Sequence, residues 1–76
     1  MNIGLMWFNN DPMKTRNTKI DEAADFYYKK YGSRPNLAWV NPVEMPDGAA
    51  NTTPGGVNVE KSRSIIPNNY WIGMSG

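Results

Sequence analysis

Neither histidine nor cysteine occurs among the 76 residues, so the commonest general acid-base side chain and the thiol nucleophile are both missing. Carboxylates, lysines, tyrosines, serines and threonines remain, and their spacing decides what they could do. The seven acids are scattered. Asp21, Glu22 and Asp25 are close enough in sequence to gather a hard cation. One helix flank supplies too few oxygens for a calcium or magnesium cage, however, and helix capping and solvation account for these acids better. Zinc would have to be held by carboxylates alone. Ser33, Ser62 and Ser64 have no base at a meaningful spacing. The expectation is a non-enzyme with no catalytic residues, no metal and no cofactor.

Cationic chemistry has more material. Between Lys14 and Arg34 lie six basic residues, Lys14, Arg16, Lys19, Lys29, Lys30 and Arg34, against three acids. Aromatic residues interleave with them, the combination by which single-strand binders track a backbone and stack bases. Lys14, Arg16 and Lys19 also lead into a predicted helix amino-end. Asn9, Asn10, Asp11 and Asn41 would follow strand ends nearby, where an anion could sit. Against this stand a net charge of only +1, far from the basic excess of most nucleic-acid binders, and the lack of a glycine-rich phosphate loop. In the plainer reading, Asn, Asp and Pro stop the strand and the basic residues keep the loop soluble. A small nucleic-acid-binding protein is therefore the alternative function.

The leading expectation comes from the aromatic residues: three Trp, four Tyr and two Phe, more than one small core easily encloses with every polar tip satisfied. Aromatics are enriched at interface centres. Phe26, Tyr28, Tyr70 and Trp71 are the candidate partner contacts, each of which could instead belong to the core. A core this small seldom yields more than about 3–5 kcal/mol, and disulfide staples are excluded. Self-association or docking on a larger partner would make up the difference. The chain thus reads as a small protein-protein interaction module or accessory subunit.

These residues need elements to hold them. Ile3 to Phe8 is apolar on both alternating faces and stops at Asn9-Asn10-Asp11-Pro12, as a central strand covered on both sides would. Thr18 with Asp21 three residues later suggests an N-cap, with a helix from about Lys19. Ile20, Ala23, Ala24, Tyr27 and Tyr31 then mark one helical face. Asp25 and Lys29 are a favourable i,i+4 pair, and Gly32 followed by Pro35 ends the helix. Leu37 to Val40 makes a second strand closed by Asn41-Pro42.

Together these form a βαβ unit, expected to pair in parallel. Residues 43–56, rich in Gly, Pro and Asn, read as a long flexible loop that is either functional or merely mobile. Asn51-Thr52-Thr53 matches a glycosylation acceptor and reads as loop composition. Val57 and Val59 mark a half-exposed third strand, and Tyr70 to Met74 a fourth, the two together forming an antiparallel appendage. The fold class is α/β, bordering on α+β: one helix on a three- to four-stranded mixed sheet in a single domain over 1–76. No stretch approaches the ~18 apolar residues of a membrane span, and none has the basic lead-in and apolar core of a signal peptide. No membrane association is expected, and a cytoplasmic location is.

Overall fold

The computed structural model describes residues 3–75, and Ile3 only in its backbone. One helix packs on a four-stranded mixed sheet: β1 Ile3–Phe8, α1 Arg16–Tyr31, β2 Leu37–Val40, a 3-10 turn Pro42–Glu44, β3 Asn58–Lys61 and β4 Asn69–Met74. The strands lie in the order β1-β4-β2-β3. The expected α/β class holds, whereas the expected pairings do not. β1 and β2 never touch as neighbours. β4 runs between them, antiparallel to both, with Trp7 opposite Tyr70 and Trp39 opposite Trp71. β3 pairs in parallel with β2 on the far side and does not pair with β4. β1, expected at the centre, is therefore an edge strand.

The reason lies in which strand can be covered on both sides. Antiparallel partners on either flank satisfy both backbone edges of β4, and Tyr70 and Ile72 fill the space beneath the helix with full burial. Together with Ile20, Ala23, Ala24 and Tyr27 from α1, Ala38 and Val40 from β2, and Val57 and Val59 at β3, they form the core. Each large side chain buried there is worth about 1.5–3 kcal/mol.

The helix begins one turn earlier than its sequence suggests. Thr15, not Thr18, is the N-cap, its hydroxyl accepting from the Thr18 amide at 3.2 Å. Either threonine has the right chemistry for a cap, and tertiary contacts of Arg16 favour the earlier one. The stop is as expected: Gly32 takes φ 77° and its amide donates to the Tyr28 carbonyl at 2.8 Å. Four members of the apolar stripe are buried, but Tyr31 is 42% exposed, its ring tilted 51° to that of Tyr27 at 4.6 Å.

Residues 43–56 contain little regular structure, yet they are tethered. Arg16 donates from Nη1 to the Glu44 carbonyl at 3.1 Å and from Nη2 to the Ala50 carbonyl at 2.7 Å. Asp21 accepts from the Thr53 hydroxyl at 2.6 Å and from the Gly55 amide at 3.1 Å. A Cβ on Gly55 would come within 2.7 Å of Asp21 Oδ1, so a side chain there would displace the Asp21 carboxylate.

Candidate interaction surface

A sheet with a helix on one side leaves its other side to be filled by its own side chains or by something else. Strand alternation puts Gly4, Met6 and Phe8 of β1, Trp71 and Gly73 of β4, and Leu37 and Trp39 of β2 on the helix-free face. Two indoles roof its centre. Trp39 and Trp71 stack at 4.7 Å with 28° between planes. The Trp71 ring also lies so close over Gly4 that a Cβ there would sit 2.3 Å from the indole. Both tryptophans are half-buried and Leu37 is buried. At the β1 side the roof ends, leaving Met6 54% and Phe8 61% exposed. Around the edge, on the helix side, Trp7 packs against Phe26 at 5.1 Å, and Phe26 stays 47% exposed. Trp7 Nε1 is the one buried side-chain polar atom among the described residues without a hydrogen-bond partner. Phe26, Trp7, Met6 and Phe8 thus form one apolar flank around the β1 edge.

The four aromatic contact candidates part company in the fold. Phe26 lies on the β1 flank and Trp71 on the helix-free face beside it. Tyr28 is 49% exposed, but two helical residues turn the chain by about 200°, which sets it on the opposite flank from Phe26. Tyr70 is fully buried and belongs to the core rather than to a contact surface. Its hydroxyl donates to Glu44 Oε1, and Glu44 Oε2 accepts from the Asn68 amide at 3.0 Å. Burial first, then the hydrogen bond to the Glu44 carboxylate and its charge, push the Tyr70 phenol far above the usual tyrosine range. The distinction between Tyr70 and Trp71 is one of strand parity, which becomes readable only once the helix-covered face is known. Met6 and Phe8 were missed because a central position for β1 would bury both.

The basic residues do not converge either. Lys14 pairs with Glu22 at 2.7 Å, and that hydrogen bond raises the ammonium above its ordinary value. Arg34 pairs with Asp25 at 3.2 Å. Arg16 is taken up by the loop carbonyls and by Asn17. Lys19 is buried along the helix, a long stem packed on apolar surface. Lys29 and Lys30 remain exposed, with Lys30 Nζ 5.5 Å from the Tyr31 ring centre. They sit about 20 Å along the helix from Lys14 and Arg16 at 1.5 Å rise per residue.

The residues expected to line an anion site at the strand ends make turns instead. Asn9 accepts from the Asp11 amide, Asp11 from the Met13 amide, and Asn41 from the Val43 amide while donating to the Ile65 carbonyl. An open groove of about 490 Å³ lies between the 45–51 segment and β3, with Asp47, Asn51, Glu60 and Lys61 in its lining. Among the described residues no three acids gather as metal ligands, and no helix is long and apolar enough to cross a membrane.

No family model, no curated protein and no solved structure matches the chain.

Proposed function

We propose that this chain is a small, non-catalytic protein-interaction module that acts in the cytoplasm and associates with its own kind through the apolar flank around β1. The carrying observation is a mismatch between sequence and position. Ile3 to Phe8 has the composition of a strand covered on both faces, yet it stands at the edge of the sheet with Met6 and Phe8 more than half exposed. Exposed apolar clusters of this kind mark contact sites. Asn9, Asp11 and Asn41 are committed to turns, and Arg16 and Asp21 to loop tethers. The cations a nucleic acid would need are largely paired or spread along the helix, which favours the protein reading over the nucleic-acid one.

The test is sedimentation velocity over a rising concentration series, with circular dichroism as a control on folding. Wild-type protein should associate, and Phe8→Ser should weaken that association at least tenfold while keeping the folded spectrum. Association unchanged by Phe8→Ser and Met6→Ser together would overturn the assignment of the β1 flank.

A further inference from the structure

Resting on that reading, we infer that the partner seated on the flank is a second copy, its β1 pairing antiparallel with β1 about a two-fold axis at Met6, so that two four-stranded sheets become one of eight strands. The ladder phase makes this register available. The Asn9 amide donates to the Asn68 carbonyl at 3.0 Å, and Asn9 continues the β1–β4 pairing beyond Phe8. In antiparallel pairing, residues alternate between bonding to one neighbour and facing the other. Leu5 and Trp7 therefore bond to β4, and the backbone N–H and C=O groups of Gly4, Met6 and Phe8 point away from the sheet. A two-fold at Met6 sets Gly4 opposite Phe8, Met6 opposite Met6 and Phe8 opposite Gly4. All three outward residues then exchange hydrogen bonds in one register.

The side chains fit the same operator. Residues directly opposite share a face, so the Phe8 ring of one protomer comes against the edge of the Trp71 indole that covers Gly4 of the other. The two Met6 side chains meet on the axis. Ile3 to Phe8 contains no charged residue and no proline, so a symmetric pairing sets no like charges against each other and loses no donor. These are the very devices by which natural edge strands are protected against pairing.

The other edge of the sheet does not compete. Val59 donates its amide to the Asn51 carbonyl at 2.8 Å, and the Val57 carbonyl accepts from the Thr53 amide at 2.9 Å, so the chain's own loop covers the start of β3. Met6 and Phe8 offer about 200 Å² of apolar side chain per protomer. For two protomers that is about 400 Å² before the strand backbone is added, at the small end of protein contacts and in keeping with a dimer that dissociates on dilution.

Directly opposed, hydrogen-bonded residues stand about 5.5 Å apart at Cα, inside the disulfide range, and the chain has no cysteine of its own. Full-length Met6→Cys treated with diamide should become a covalent dimer almost completely, whereas Glu60→Cys on β3 should stay monomeric. As an independent check, Met6→Lys and Met6→Glu should each be monomeric alone and associate at least tenfold more tightly when mixed. Sedimentation showing a wild-type dimer, with no cross-linking at Met6→Cys and no gain on mixing, would overturn the strand pairing and leave the interaction module standing. A wild-type chain monomeric at every concentration would overturn both.

Discussion

The two edges of this sheet have opposite treatments. β3 is four residues long, carries Glu60 and Lys61, and has its outward Val59 amide engaged by Asn51, while Thr53 bonds the adjoining Val57. Two helix side chains, Arg16 and Asp21, hold the covering loop in turn. β1 is six residues long, uncharged, and followed around its edge by exposed Met6, Phe8 and Phe26. A free edge is a template for pairing, so a chain that spends a 14-residue segment and two helix tethers on one edge while leaving the other bare has assigned them different work. On the proposed pairing, the loop-covered edge would keep the molecule from growing in both directions, and a two-fold contact would use up the β1 template in a closed pair.

The contrast can be broken most directly by opening the closed edge. Asp21→Ala removes the partner of both the Thr53 hydroxyl and the Gly55 amide and should cost about 2–3 kcal/mol, a loss of charge-assisted hydrogen bonds. Urea unfolding will measure it, and the variant should form species larger than dimers, since β3 then becomes a second template. A next-largest effect belongs to the β1 side. Gly4→Ala drives a methyl into the Trp71 indole and should cost about 1–3 kcal/mol by overpacking. Loss of the Trp39–Trp71 exciton couplet in far-ultraviolet circular dichroism would report the displaced ring, and an unchanged signal would contradict the described roof.

Alkaline pH sharpens the comparison from the core. Because the Tyr70 phenol is held above its ordinary value near 10, its neutral form is favoured by folding. That stability is complete below pH 10 and drains away as pH rises toward the folded value. Burial and the neighbouring Tyr31 raise Tyr27 in the same direction. Melting temperature should therefore fall from about pH 10 upward, and less steeply in Tyr70→Phe, which has no proton to lose at that site. The smallest stability effect should come from charge reversal of Lys29 and Lys30, which are exposed and lie one turn beyond Phe26 on its side of the helix. It should stay within about 0.5 kcal/mol. A strong, salt-sensitive loss of oligonucleotide binding in that variant would favour the nucleic-acid reading instead.

Much of the fold was legible residue by residue. The helix stripe from Ile20 to Tyr27, the Gly32 stop, and all four strands follow from periodicity and turn chemistry. What local pattern does not carry is which strand sits between which. The insertion of β4 between β1 and β2 is a long-range choice made by Tyr70 and Ile72 packing under the helix, and it turned an expected central strand into an edge. Continuous apolar sequence on β1 suggests coverage on both faces, yet the strand stands at the edge with Met6 and Phe8 more than half exposed. The tethers of the 43–56 loop join residues 28 to 34 apart, beyond the reach of any local motif. By contrast, the opposed azimuths of Phe26 and Tyr28 follow from helical geometry alone.

Amide hydrogen exchange, followed residue by residue at two protein concentrations well above and well below the dimer dissociation constant, tests the central claim most directly. On this account Gly4, Met6 and Phe8 exchange quickly when dilute and slowly when concentrated, while Leu5 and Trp7, bonded to β4, and Val59, bonded to Asn51, are protected at both. Equal exchange of Gly4, Met6 and Phe8 at the two concentrations would contradict it.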